Sequence, residues 1–333
     1  MAVSMHDVAR AAGVSQRTVS NVVNNYEFVR PETRRRVLEA MAALGYVPNA
    51  AARSLRAART GLIALVVPDF RARFFADLAG VVVREAEAHG YTVLIELTGS
   101  ERERELKVLG GGRNQLTDGA IMAALTLKPD DGLHRRPDYP MVLVGDQVLD
   151  PPVHHVGTPN RQAALAVVRY LTGLGRRRLM LLGYAPEGKV TARQRTQGFL
   201  EGLAEAGLSA HEELLVHADW TRPGGQQAIE QHLDAGLPMP DAIFAMNDSL
   251  ALGALRGLRS RGIRVPREIA LVGFDDAEEA RYSTPSLTTV SPDVNALART
   301  AVAMLHEQIT GKASGLEPYI LVDFELKVRE SSQ

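Results

Sequence analysis

The sequence predicts an α/β chain: a small helical head followed by a two-lobed body of doubly wound parallel sheets. Three observations carry that reading. After residue 60, short apolar runs alternate with amphipathic stretches, and the alternation comes in two successive series. Before residue 60 the apolar spacing is helical throughout. Charge divides at the same place: residues 1–60 hold nine arginines against four acids, a balance of +5, and the remainder holds 29 basic and 35 acidic groups, a balance of −6. The net charge of −1 over 333 residues hides this asymmetry.

Composition excludes several classes. With 45% apolar and 23% charged residues, the chain is an ordinary globular protein long enough for two or three domains. Zero cysteines exclude a disulfide framework, thiolate metal sites and cysteine nucleophiles. No apolar run is long enough to span a membrane, and the opening MAVSMHDVAR lacks the apolar core of a secretory signal, so the cytoplasm is the expected compartment. A basic head can attract phosphates whatever the net charge of the whole. A solvated helical surface would carry the same charge.

In the head, a first helix is predicted over 6–12, with Val8, Ala9 and Ala12 at helical spacing, and Gly13 supplies a turn with positive φ. Ser15 is a natural N-cap for a second helix over 16–23, whose apolar stripe is Val19, Val22 and Val23. A third helix begins at Pro31, has Glu32 in its first turn, runs through Val37, Leu38, Met41 and Leu44, and stops at Gly45. The spacing of Ala9, Gly13 and Val19 suits a helix-turn-helix: a small residue for close approach, glycine for the turn, an aliphatic to lock the second helix.

The wider string is more specific. HDVARAAGVSQRTVSNVVNN, followed by RPETRRRVLEAMAALGYVPNAAARSLR, closely resembles the DNA-binding head of the LacI/GalR family of bacterial transcription regulators, almost without gaps from about residue 5 to residue 60. The resemblance implies that the second helix enters the major groove of DNA. Gln16 and Arg17 are then best placed to read adenine and guanine edges. Ser15, Thr18, Ser20 and Asn24 are short polar groups suited to phosphates. Asn21 departs from the arginine usual in the family. The same resemblance puts Thr33, Tyr46 and Asn49 on the DNA-facing side. Residues 49–57 resemble the family's hinge helix, too short to be stable alone and expected to order when two copies pair on DNA. Ala52 and Leu55 would then meet the minor groove, Leu55 as a wedge that kinks the duplex. The alternative for Leu55 is a linker residue docked on the body.

In the body, apolar runs at 62–67, 93–97, 120–123 and 142–144 read as buried parallel strands, separated by amphipathic stretches near 74–89 and 101–109. The second series has helices over 160–173, 193–206, 224–235 and 249–261, alternating with strands over 178–182, 213–217, 242–246 and 269–273. A helix over 294–310 and the stretch 319–328 are expected to cross back between lobes. The expected division is a helix-turn-helix domain over 1–48, a hinge and linker over 49–60, and a body over 61–333. Lobe 1 would take about 61–157 and 288–318, and lobe 2 about 158–287 and 319–330.

Ligands of such sheets bind beyond the carboxyl ends of the strands. Asp69, Asn247, Asp248, Asp275 and Asp276 all follow predicted strands. The segments RQRTQGFLEGLAEAGL, DAIFAMNDSLALGALRGLRSRGIRVPREIALVGFDDAEEA, PSLTTV and the closing VRESS again resemble the LacI/GalR family, here its periplasmic-binding-protein-like effector domain. By that resemblance the effector cleft includes Phe75, Arg195, Trp220, Asn247 and Asp275. Arg195 offers a donor fork and Asp275 an acceptor, a pairing suited to vicinal hydroxyls. Phe75 and Trp220 offer aromatic faces for a sugar or nucleobase ring. Trp220 also suits core packing, Asp275 suits capping of the following turn, and Phe74 suits core and cleft equally. Four positions depart from the family: Gly145 and Asp146, where the acid is shifted by one, Pro159 in place of an aspartate, and Pro292 in place of a polar residue. Arg71 and Arg73 add charge beside Phe75. Together these departures point to a different specificity, with an acidic group on the ligand. A damaged site is the alternative.

Three function classes compete. The leading expectation, implied by the resemblance, is a repressor that binds a near-palindromic double-stranded DNA operator as a homodimer under control of a small effector: a sugar, sugar derivative or nucleoside. Lobe closure would change the spacing of paired hinge helices and so bias DNA-competent and DNA-incompetent states. No heptad tail follows the last strand, so a dimer is expected rather than a tetramer. A sugar-binding protein for transport would need an export signal in place of the basic head. An enzyme is the third class, but no nucleophile elbow or metal cluster is visible, and GGGRNQ at 110–115 is an incomplete dinucleotide fingerprint expected in a loop. No cofactor is expected. The isolated pair His154 and His155 reads as loop surface.

Overall fold

The computed structural model describes residues 3–23, 26–46, 59–110, 116–128, 131, 139–145, 154–185, 189–312 and 317–333. The chain forms two compact units, Met1–Gly61 and Leu62–Gln333.

The first unit is helical. α1 (Met5–Ala12) opens with a capping box in which the Ser4 hydroxyl accepts from the Asp7 amide and the Asp7 carboxylate accepts from the Ser4 amide at 3.0 Å. Donation from the Ser4 hydroxyl to Asp7 Oδ2 at 2.6 Å, and then from the Ser4 amide, holds the Asp7 carboxyl below its ordinary pKa. Gly13, at φ +61°, makes the left-handed turn that closes α1. The Ser15 hydroxyl accepts from the Thr18 amide at 3.1 Å and starts α2 (Gln16–Val23). α3 (Pro31–Leu44) begins on proline and ends at Gly45. Val8, Ala9, Ala12, Val19, Val22 and Val37 form the core between the three helices. Of the apolar residues along α3, Leu38 and Leu44 are exposed. The expected hinge helix, with Asn49, Ala52 and Leu55, lies outside the described residues, as does Asn24.

The second unit holds two six-stranded sheets. In order, the elements of the first series are β1 (Leu62–Val67), α4 (Arg73–Ala88), β2 (Thr92–Leu97), α5 (Arg102–Leu109), β3 (Gly119–Met122), β4 (Met141–Val144) and β5 (His154–Gly157). The second series is α6 (Asn160–Gly173), β6 (Leu179–Leu182), α7 (Val190–Glu205), a 3-10 turn at Glu212–Leu214, β7 (Leu215–Val216), α8 (Arg222–Asp234), β8 (Ala242–Ala245), α9 (Asp248–Ser260), β9 (Ala270–Phe274), α10 (Glu278–Tyr282) and β10 (Thr288–Pro292). The chain closes with α11 (Val294–Thr310), β11 (Tyr319–Leu321) and β12 (Phe324–Lys327). Sheet 1 has the order β11-β5-β4-β3-β1-β2 and is wholly parallel. Sheet 2 has the order β12-β10-β9-β8-β6-β7 and is parallel except for β12 against β10. The central strands β3, β4, β6, β8 and β9 are buried along their length, as helices on both faces require.

The lobe boundaries differ from those expected. Residues 288–292, assigned to lobe 1, pair with β9 in sheet 2, while α11 just after them packs on α4 and sheet 1. Residues 319–321, assigned to lobe 2, pair with β5 in sheet 1, and only β12 returns to sheet 2. The chain therefore crosses between lobes at 157–160, 292–294 and 321–324. Which sheet a short strand joins is decided by the open edge it meets, and local sequence carries no record of that edge.

The histidine pair is also corrected. It lies on β5, and His155 is buried, its imidazole Nε2 facing the Gly145 carbonyl. Burial lowers its pKa. No apolar run announces this strand, because the buried ring replaces the usual aliphatic.

Two helices of lobe 2 approach through glycine. A Cβ on Gly253 of α9 would stand 2.0 Å from the Arg222 carbonyl, and one on Gly225 of α8 would stand 2.1 Å from the Leu250 carbonyl. Only glycine allows backbones this close. Among the described residues no helix is long and apolar enough to cross a membrane.

Candidate functional site

The head presents one polar helix start. Ser15, Gln16 and Arg17 are exposed at the beginning of α2, while Val19 and Val22 on its other face are buried in the head core. Thr18, Ser20 and Asn21 are half-buried beside them, as are Thr33 on α3 and Tyr46 just after it. The exposed end therefore carries an amide, a guanidinium and a hydroxyl on a rigidly packed helix. Such a surface can donate to phosphates, and can both donate to and accept from base edges.

The body holds a cavity of about 670 Å³ between the two sheets, beyond the carboxyl ends of their strands. All five sequence-predicted residues, Phe75, Arg195, Trp220, Asn247 and Asp275, line it. Phe75 comes from α4 of lobe 1 and the other four from lobe 2.

Arg195 is buried and held on three sides. Its Nε donates to Asn160 Oδ1 at 2.8 Å, Nη1 donates to the Met246 carbonyl, and its guanidinium carbon sits 3.3 Å from the centre of the Phe274 ring. The Trp220 ring centre lies 5.6 Å away on another side. The guanidinium is thus fixed as a flat donor surface. Asn247 caps α9 by accepting from the Leu250 amide at 2.8 Å and donates to the Trp220 carbonyl at 3.3 Å. The Trp220 indole N–H donates to the Gly183 carbonyl at 3.0 Å. Trp220 is both packed against the lobe 2 core and part of the cavity wall. Phe74 and Phe75 do likewise in lobe 1, edge to face at 5.4 Å.

Asp275 follows β9 at φ +111° and Asp276 follows at φ +52°. Burial pushes the Asp275 carboxyl up to about 7, against the pull of the Arg195 charge. Behind it, the buried Asp248 carboxyl accepts from the Thr289 hydroxyl at 2.6 Å and the Ala277 amide at 2.8 Å. Burial, and then the nearness of Asp275, raise its pKa well above the ordinary value. The wall thus sets carboxyls beside cations: Asp69, Asp219 and Asp275 line the cavity together with Arg71, Lys189, Arg195 and Arg222.

The expected surplus of positive charge beside Phe75 is neutralised locally. Arg71 pairs with Asp69 at 2.7 Å, and Arg73 pairs with Asp77 at 2.8 Å and with Glu278 of lobe 2 at 3.2 Å. Both guanidiniums already face carboxylates, which removes the ground for an acidic ligand group. Of the departures from the family pattern, Gly145 and Pro292 line the cavity, Pro159 begins α6 without a side-chain cap, and Asp146 lies outside the described residues.

Sequence reasoning missed Phe274, Lys189, Thr191, Asp219 and Ser249, which also line the cavity. Phe274 was indistinguishable from a core strand residue, and the polar four sit in ordinary loop or helix-start contexts. Buried Glu105 was missed as well: its carboxylate accepts from the amides of Leu125, Thr126 and Leu127 and from the Thr126 hydroxyl, and so holds the loop that carries Leu125 to the cavity wall.

Comparison with known proteins accounts for both units. Residues 4–49 match the bacterial regulatory proteins of the lacI family, and residues 168–332 match the periplasmic binding protein-like domain. The transcriptional regulator CelR of Thermobifida fusca is 36% identical over 337 aligned positions, spanning 97% of this chain and 96% of its own. A CelR–cellobiose complex is similar with a TM-score of 0.71 at 33% identity, covering 99% of this chain and 100% of that one. The Lac repressor dimer bound to operator and the anti-inducer ONPF is similar with a TM-score of 0.87 at 28% identity, covering 100% of this chain and 99% of that one. With a helix-turn-helix head, a periplasmic-binding-protein-like body and full-length relatives at this identity, the chain belongs to the LacI family of bacterial regulatory proteins.

Proposed function

We propose that the protein is a repressor that binds a near-palindromic DNA operator as a homodimer and is controlled by a small carbohydrate-like effector. The observation that carries the reading is the pairing, in one chain, of an exposed Gln16–Arg17 helix start with a cavity of about 670 Å³ walled by aromatic rings and hydrogen-bonding side chains. A regulator needs both, and a transport protein would need only the cavity. Residues 1–48 act as the DNA-binding domain and 49–60 as hinge, with Gln16 and Arg17 reading bases and Ser15, Thr18, Ser20, Asn21, Asn24, Thr33, Tyr46 and Asn49 fixing register. Ala52 and Leu55 enter the minor groove. Operator DNA would be bound in the cytoplasm.

In the body, Phe75 and Trp220 stack a ring while Arg195, Asn247 and Asp275 address its hydroxyls. A wall that mixes hydrogen-bond donors with carboxyl acceptors suits the hydroxyls of a polyol. The relative solved with cellobiose makes neutral glucosides the first compounds to try. The homodimer reading is supported by β2, an edge strand whose Leu94, Ile95 and Leu97 are exposed. An apolar parallel edge of this kind is usually covered, and a second copy of the chain would cover it symmetrically.

The test is selection of genomic DNA fragments on the purified full-length protein, followed by release with cellobiose, other neutral sugars, sugar phosphates and nucleosides. A shared inverted repeat and release by a neutral sugar are expected. Fragments with no common sequence would overturn the operator reading.

A further inference from the structure

The closing VRESS stretch, 328–332, does not line the cavity, yet it is among the best-anchored segments of the body. Ser331 and Ser332 are buried. The Ser331 hydroxyl accepts from the Thr288 amide at 2.8 Å and donates to the Leu271 carbonyl at 2.6 Å. The tail is thereby sewn to β9 and β10, the strands on either side of the Asp275–Asp276 turn. From it, Arg329 reaches forward: Nη1 donates to the Leu287 carbonyl at 2.8 Å and Nη2 to Asp276 Oδ1 at 2.5 Å. The other Asp276 oxygen accepts from Ser291 Oγ at 3.0 Å and from Arg281 at 3.3 Å.

The turn needs such a grip. Two successive non-glycine residues at φ +111° and +52° occupy backbone space that persists only where the surroundings over-determine it. That conformation puts Asp275 in the cavity wall while Asp276, its neighbour, faces the tail.

We propose that Arg329 is a positioning residue for Asp275: by gripping Asp276 and the Leu287 carbonyl, the C-terminal tail holds the left-handed turn that sets the Asp275 carboxyl in the ligand cavity. This rests on the reading of Asp275 as ligand-facing. The tail thus preorganises the acceptor side of the site without touching ligand.

The charged groups around Asp275 are Arg195 from α7, Asp248 at the start of α9, Asp276 in the turn itself, Arg281 from α10 and Arg329 from the tail, with Asp219 and Lys189 elsewhere on the wall. Two effects of losing Arg329 therefore have opposite signs. Removal of a nearby cation alone would raise the Asp275 pKa, whereas release of the turn would let the carboxyl into water and lower it.

The sole tryptophan, Trp220, shares the wall with Asp275 and lies beside Arg195, so its emission can follow the titration in the full-length protein. Subtraction of the Asp275→Asn titration isolates the Asp275 component, whose wild-type midpoint is about 7. In Arg329→Met the midpoint is expected to fall by about one pH unit or more, with Arg329→Lys restoring it towards wild type. Asp276→Asn, which cuts the same link from the other side, is expected to lower it too and serves if Arg329→Met does not fold. An Arg329→Met midpoint at or above the wild-type value, or a wild-type midpoint in Asp276→Asn, overturns the proposal, and so does a titration unchanged by Asp275→Asn. A panel of sugars that releases no DNA, alongside a titration that still responds to Arg329→Met, would sink the effector reading alone.

Discussion

Replacing Asp275 by asparagine should stabilise the unliganded protein, and increasingly so as pH rises. A carboxyl whose native pKa lies above its unfolded value binds its proton more tightly when folded. Its contribution to stability is full below the unfolded pKa and is lost as pH climbs through the native one. For Asp275 the window runs from the ordinary 3.8 to about 7. At about 1.4 kcal/mol per pH unit, that interval corresponds to about 4 kcal/mol if the group were wholly dry. The side chain is half-buried rather than sealed, which reduces the figure to about 2–3 kcal/mol. Asparagine keeps the shape and never ionises. Urea unfolding of the body, followed by the single tryptophan at pH 5 and pH 8, measures the effect on wild type and Asp275→Asn. The stability gap between them is expected to widen by about 2 kcal/mol across that range. The difference between variants cancels the opposite trend of His155, whose lowered native pKa removes stability as pH falls. A gap that stays constant within experimental error would refute a carboxyl held against its preference in the cavity wall.

Three further outcomes follow from named contacts. Arg17→Ala is expected to weaken operator binding by about 1–3 kcal/mol and relax specificity at one base pair, measured by binding to a set of operators mutated one position at a time. A uniform loss across all of them would mean a phosphate contact instead. Gly253→Ala drives a methyl into the Arg222 carbonyl, so it should shift the urea midpoint of the body downward by about 2–4 kcal/mol; an unchanged midpoint would mean that α8 and α9 separate freely. Glu105→Ala strands three amides and a hydroxyl, with the Leu127 amide fully buried. It should destabilise lobe 1 by about 3 kcal/mol or more, with faster hydrogen exchange at 125–127 as the local signature.

Much of the architecture is legible from residue order. The alternation of apolar runs and amphipathic stretches marks nearly every strand and helix of the body, and Gly13, Ser15, Pro31 and Gly45 punctuate the head where its helices turn, start and stop. Those signals are local: a cap or a periodic stripe acts within a few residues of itself. The elements that escaped notice lack such a signal. β5 reads His-His-Val-Gly, α10 is five residues long, and β10 carries threonines whose hydroxyls bond to buried groups. For the cavity, the five residues named from the sequence all line it, Phe75 from lobe 1 and four from lobe 2, but their company does not follow from spacing. Arg195, Phe274 and Asn160 are far apart in the chain and meet only because α6, α7 and β9 converge at the cleft.

By itself the sequence determined the division of labour: a +5 helical head, a −6 α/β body, two series of strands, and a set of polar residues just past the strand ends. These are properties of composition, periodicity and local turn chemistry, which act before the chain closes on itself. Tertiary structure alone decided three things. It chose which sheet receives residues 288–292 and 319–321, since edge pairing depends on what has already been built beside it. It neutralised Arg71 and Arg73, because a charge counts in a site only after its neighbours are known. And it set Asp275 in a strained turn with its carboxyl raised to about 7, with the last residues of the chain gripping the turn from behind.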